Sequence, residues 1–412
     1  MKQISIALIF VSFAHVAHAS EMAKANAEKA SNFQVTLGGT LDTQAGYRSQ
    51  KSALNTDLNG NPLHKGAIVN ETRIVLDTQG KIGNLKYGGY IQMYADASPH
   101  YNGPNPRIGK KLFAFVESKY GRSEFGGGQA ASAQMQVSAN TIARLPGGIN
   151  GKAQKWIGEF VYLPGASKDS KKFSSHFVKW PSLPIDADHE SAAGKVTYIT
   201  PKVNGLQAGF SYIIDSELRG TVSKTQSVFR TSDKEYNNVF DGAIKYETKF
   251  KDIEFATALT GQMGKAKRKT STLARHDLRA WELGALAKYM GFSLAGSYSD
   301  WHHSASPKFK VNGEKSGASY WTAGIGYERG KLGTSVTYFN SIRANSNSAH
   351  PFDPNFSDVG FNRFELLCIG ADYKLMPGFM PYAELSLFRM KHKGAAISNR
   401  GTIVLAGTKL SF

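Results

Sequence analysis

From Phe33 onward the chain alternates. In FQVTLGGTLDTQAGYRS, Phe33, Val35, Leu37, Gly39, Leu41, Thr43, Ala45 and Tyr47 share one face of an extended segment. Gln34, Thr36, Gly38, Thr40, Asp42, Gln44, Gly46 and Arg48 share the other. A period of two marks a strand, and this one outruns the usual five or six residues. One face is apolar and ends in an aromatic; the other is polar and small. Polar residues facing a dry core are costly, whereas facing water inside a closed sheet they cost little.

The same pattern returns along the chain. Leu206, Ala208, Phe210, Tyr212 and Ile214 form the apolar face of GLQAGFSYIID. Trp281, Leu283, Ala285, Ala287 and Tyr289 stand opposite Glu282 and Lys288, and Trp321, Ala323, Ile325 and Tyr327 stand opposite Gly324, Gly326 and Glu328. Aromatics flanking an apolar centre match the girdles of a lipid-facing band. Composition agrees, with 42 Gly, 18 Tyr and 24 Phe. No run of 18 apolar residues follows the N-terminus, which excludes a helical span there.

Connections alternate between tight and long. GKIGN, YG, PKVNG, KFKD, MG, RGK and LMPGFM are tight, and the stretches near 50–65, 99–108, 129–190, 217–235, 265–277, 302–315, 344–360 and 391–400 are longer. Seven tight turns and eight loops imply sixteen strands. The fold expected is therefore all-β: a transmembrane antiparallel barrel with short turns at one end and long loops at the other. Residues 129–190 are too long for a hairpin turn, and loops of that length are usually functional.

The first residues read as an export signal. One lysine in MKQ precedes the apolar ISIALIFVSFA, and AHA at Ala17–Ala19 is a cleavage pattern, so residues 1–19 are expected to be removed. Residues 20–32 do not alternate and read as a periplasmic lead, leaving 33–412 for the barrel. The single cysteine, Cys368, excludes an intramolecular disulfide, and closure of the sheet is the expected substitute. Formal net charge is +18, or +17 without Lys2. In an exported chain KAKRK (Lys265–Lys269) reads as a solvated loop, and no nucleic-acid partner is expected.

Catalytic and cofactor patterns do not emerge. His302 and His303 are adjacent and would point to opposite faces of a strand, so they do not converge on a metal. Asp186, Asp188, His189 and Glu190 lack calcium-loop spacing. Neither NGEKS nor MGKAKRKTS has phosphate-loop spacing. No enzyme activity, cofactor or metal is expected.

LKYGGYIQMYADAS, KLFAFVESKYGRSEFGGGQ, GKVTYITPKVNGLQAGFSYIID, IGADYKLMPGFMPYAELSLF and GTIVLAGTKLSF, in this order along the chain, resemble the general Gram-negative porins of the alphaproteobacterial type. The resemblance implies a sixteen-stranded barrel, usually a homotrimer, in the outer membrane beside lipid and lipopolysaccharide. Small hydrophilic solutes would pass by diffusion. It implies a third loop, here 129–190, folded into the lumen to constrict it, with acidic loop residues facing basic ones on the early strands. The wall positions that match are Arg48, Arg73 and Lys111. The loop departs from the pattern: residues 129–150 hold Arg144 and no acid, and Lys152, Lys155 and Glu159 follow. Over 129–190 there are seven Lys or Arg against five Asp or Glu. The expectation is thus anion preference, since fixed charge in a narrow pore biases which ions enter. The alternative is a solute-specific channel, with Trp156, Phe160 and Tyr162 as an aromatic patch or as packing against the wall. The resemblance also reads Phe412 as the signal recognised by the barrel-assembly machinery.

Overall fold

The computed structural model describes residues 33–50, 64–95, 109–151, 153–157, 193–216, 236–266, 276–304, 308, 317–345, 360–392 and 398–412. Among the described residues sixteen strands follow in order: β1 (Gln34–Gln50), β2 (Gly66–Ile82), β3 (Leu85–Tyr94), β4 (Gly109–Ser118), β5 (Gly121–Gly127), β6 (Lys195–Ile199), β7 (Leu206–Asp215) and β8 (Tyr236–Phe250). Then come β9 (Ile253–Ala266), β10 (Leu278–Tyr289), β11 (Phe292–Asp300), β12 (Ala318–Arg329), β13 (Leu332–Asn345), β14 (Gly360–Tyr373), β15 (Phe379–His392) and β16 (Ser398–Ser411). Each pairs antiparallel with its sequence neighbours, and β1 pairs with β16. The sheet is closed, so no edge is left to template aggregation.

All seven tight turns fall where the sequence places them. Five are two-residue hairpins, and the turn after Tyr289 shows why its residues suit it: Met290 and Gly291 both have positive φ, 47° and 85°. Two such residues match the twist of the flanking strands. Strands run slightly further into the long connections than the alternation predicts, so β16 begins at Ser398.

The two faces differ as expected over most of the circumference. Large outward side chains are uncovered, among them Ile68 at 77%, Leu37 at 68% and Leu294 at 65% exposure. An apolar surface that encircles the molecule needs lipid to cover it. Inward positions of the same strands are polar and buried, including Asp42, Gln44, Asp241, Gln262, Glu282 and Ser299. The inner face of β13–β16 departs from this pattern. Phe339, Phe364, Leu366, Phe388, Met390, Ile403 and Leu405 are inward and buried together. They pack with Ile149, Ala153 and Ile157 from the connection after β5. This part of the inner face is apolar because the connection covers it, while Ser335, Asp372 and Glu384 on the same inner face stay polar.

Candidate functional site: the inner wall and the segment after β5

Two short helices, α1 (Ala131–Met135) and α2 (Ala153–Trp156), lie in the connection after β5 with two 3-10 turns, Ala139–Ile142 and Gly148–Asn150, between them. A stretch this irregular leaves many N–H groups without local acceptors. Inward side chains of successive strands supply them. Ala131 N–H donates to Ser211 Oγ of β7 at 2.8 Å. Ser132 N–H donates to Asp241 Oδ1 of β8 at 2.9 Å, and the Ser132 hydroxyl donates to the same carboxylate. The preceding Ala130 cannot cap α1 with its side chain, so the barrel wall provides the cap.

The series continues around the sheet. Gln136 donates its amide to Glu282 of β10, which also accepts from Tyr320 Oη at 2.9 Å. Ala139 N–H donates to Thr322 Oγ1 of β12 at 3.1 Å and Arg144 N–H to Ser335 Oγ of β13 at 2.9 Å. Leu145 N–H reaches Asp372 Oδ2 of β14 at 3.2 Å, and Gly148 N–H reaches Glu384 Oε2 of β15 at 3.0 Å. Arg48 of β1 then donates through Nη1 to the Trp156 carbonyl at 2.8 Å. Each of these N–H groups left unpaired would cost about 1–3 kcal/mol.

Contact is close enough to dictate glycine on the wall. A Cβ on Gly284 would sit 1.6 Å from the Val137 carbonyl oxygen. A Cβ on Gly46 would sit 2.3 Å from the Trp156 ring. Small inward residues do the same job nearby: Val137 and Ile142 pack on Ala256, Ala258 and Ala295, with Leu286 in the same cluster. Trp156 therefore rests on β1, which is the packing alternative for its ring; Phe160 and Tyr162 lie outside the described residues.

The basic residues picked out in the sequence do not form one ring. Arg73 is inward on β2 and ion-paired with Glu71. Lys111 is inward on β4, its Nζ 3.0 Å from Gln129 Oε1. These two come to nearly one level, since Arg73 faces Tyr94 of β3 and Lys111 faces Gln92 of the same strand. Arg73 faces Thr40 on β1. Arg48 lies eight residues further along that strand, about 26 Å at the usual strand rise. Arg144 is ion-paired with Glu328 and lies over Gly333. Lys155 falls in α2, while Lys152 and Glu159 lie outside the described residues.

Sequence reasoning missed the anchors. Asp241, Asp372 and Glu384 are acids at inward positions of strands, and that register is the signal that could have revealed them. The site offers no converging metal ligands: among the described residues no three His, Cys, Asp or Glu side chains group to hold a metal. The rings of His303 and His276 are tilted by 42° with centres 5.5 Å apart, and His302 lies by Asp300.

A closed sheet, apolar outside and charged inside, defines a transmembrane β-barrel of the channel-forming class. The chain belongs to the Gram-negative porin family, whose sequence pattern matches residues 5–393. It is an outer-membrane channel protein. An uncharacterised protein of Rickettsia conorii is 26% identical, over 77% of this chain and 78% of its own. Among solved structures, the anion-selective porin of Comamonas acidovorans superposes with a TM-score of 0.53 at 15% identity, covering 92% of this chain and 100% of that one. The trimer form of OmpT from Vibrio cholerae gives 0.51 at 11% identity, over 92% and 99%.

Proposed function

We propose that this chain forms a water-filled pore for passive diffusion of small hydrophilic solutes and ions, with the 129–190 connection entering the lumen and setting its narrowest point. The observation that carries this reading is the inner-wall hydrogen-bond series from Ser211 to Glu384, which a segment lying against the inside of the sheet would make. The pore is non-catalytic and needs no cofactor. Residues 1–19 serve as the export signal and 20–32 as the periplasmic lead.

Anion preference follows from how the charges are engaged. Asp241, Asp372 and Glu384 accept backbone N–H groups from the segment, which offsets their charge toward the lumen. Lys111 lies on the opposite, early strands against the neutral Gln129 side chain, beside Arg73, whose charge Glu71 shares, with Arg48 further up; Lys152 and Lys155 belong to the segment. Under a salt gradient across a planar bilayer, the reversal potential should take the anion sign. Arg73→Glu with Lys111→Glu should shift it toward cations, because charge reversal in a narrow pore acts with little screening. A cation-selective wild type would overturn the preference.

A homotrimer fits the barrel's uneven height. β5 and β6 hold seven and five residues. At the usual rise and tilt they climb only about 16 and 12 Å of a roughly 30 Å hydrocarbon core. Lipid cannot satisfy exposed backbone there, and a neighbouring copy can cover it. OmpT, with the same fold, has a trimer form. Phe412 is assigned to recognition by the barrel-assembly machinery, and the outward face to lipid and lipopolysaccharide.

A further inference from the structure

Outward aromatic residues mark the loop-side rim of β10–β13. Trp281 and Tyr298 have ring centres 5.7 Å apart, and Trp321 and Tyr338 are 5.0 Å apart. This row stops at β14. At the same end of β14–β16 the outward face carries Arg363, Arg389, Lys391 and Arg400. Register locks them together: Arg363 faces Lys391, and Arg389 directly faces Arg400. Like charges opposite one another in a sheet destabilise it unless something neutralises them.

No described side chain closes an ion pair with them. Arg363, Arg389 and Arg400 are exposed, and none of the four cations makes an ion pair or hydrogen bond with a described residue. Glu365 of β14 stands directly opposite Arg389, but its carboxylate is directed to the Asn340 amide, 3.5 Å away, and closes no ion pair with Arg389. One step toward the barrel's middle, the same face turns apolar, with Leu387 at 41%, Leu385 at 37% and Val404 at 47% exposure. The patch therefore sits at the border between an apolar band and water, where head-group phosphates lie. Guanidinium forks match phosphate oxygens in pairs.

We propose that Arg363, Arg389, Lys391 and Arg400 hold the phosphate of an outer-leaflet lipid whose acyl chains lie over Leu367, Leu385, Leu387 and Val404. This rests on the reading of the chain as an outer-membrane barrel with its long loops outward. It predicts one tightly held anionic lipid at β14–β16, distinct from the general lipid annulus.

The test uses full-length folded protein in nonionic detergent. The probes are diphosphoryl lipid A, lipid A stripped of both phosphates, and inorganic phosphate, with bound lipid counted by native mass spectrometry. One diphosphoryl lipid A should remain per chain. Arg389→Gln with Arg400→Gln should weaken it about thirtyfold, from the usual attraction of a basic side chain to an anionic lipid surface. Arg279→Gln, an outward cation on β10 outside the patch, should leave binding unchanged. The stripped lipid and inorganic phosphate should not be retained. Equal retention of the stripped lipid, or an unaffected double variant, overturns the proposal. A double variant that changes only oligomer size also overturns it, in favour of a subunit contact. Channel conductance keeps the two readings apart. The four side chains face away from the lumen, so both variants should conduct as wild type does. A chain that conducts and holds no lipid defeats only the lipid site, whereas a folded chain that does not conduct defeats the pore.

Discussion

Gly284→Val should raise single-channel conductance. The new Cβ would begin 1.6 Å from the Val137 carbonyl oxygen, so wall or segment has to move. β10 is held on both sides, by β9 and by β11, through continuous register. Beside Gly284 the segment is held by single hydrogen bonds, each worth about 1 kcal/mol net, and by the packing of Val137 and Ile142 on a few wall side chains, less than the two full strand ladders that hold β10. It should therefore yield first, losing the Gln136 contact to Glu282 and the Ala139 contact to Thr322. Removing part of residues 140–165 takes the same change further and should increase conductance about twofold or more, as a narrow constriction dominates permeation. The strands do not rely on this segment for their pairing, so the barrel should still close. Unchanged conductance in both variants would mean that the connection does not set the narrowest point.

Phe412→Asp should lower the amount of assembled protein in cells. The residue completes the seam between first and last strands. Its N–H donates to the Gly39 carbonyl at 3.2 Å, and Gly39 N–H donates to the Phe412 carbonyl at 2.9 Å. Its ring lies against Gly39, where an added Cβ would come within 2.8 Å of it. The ring is otherwise outward, 66% exposed and available to lipid. Losing that contact forfeits about 1.5–2 kcal/mol, and a carboxylate beside lipid adds to the cost. Outer-membrane levels should fall about tenfold or more on that basis. Protein refolded in detergent should keep its wild-type conductance, because Phe412 does not face the lumen. Wild-type levels in cells would remove Phe412 from any role in assembly.

Much of the fold was legible because a barrel repeats one rule. Alternation placed Asp42, Gln44, Glu282 and Arg48 on the inner face, and turn residues such as Met290–Gly291 placed the hairpins. The inner wall of β13–β16 was not legible. Ile403 and Leu405 are inward because a distant segment covers them, and alternation cannot report a partner such as Ile149 or Ile157, far back in the chain. The site was legible in part for the same reason. A charge on a strand can be assigned a face from its register, as for Arg73 and Lys111. Its partner cannot: Glu328 on Arg144 and Glu71 on Arg73 emerge only from the closed structure. Gly284 and Gly46 were visible as inward glycines, yet their reason lies in Val137 and Trp156.

The most direct test is the current through planar bilayers carrying folded full-length protein. Discrete ohmic steps arriving in groups of three, with no saturable block by any one sugar or anion, are the predicted result. Folded protein that inserts into the bilayer and passes no current would contradict the assignment of this chain as an open diffusion pore.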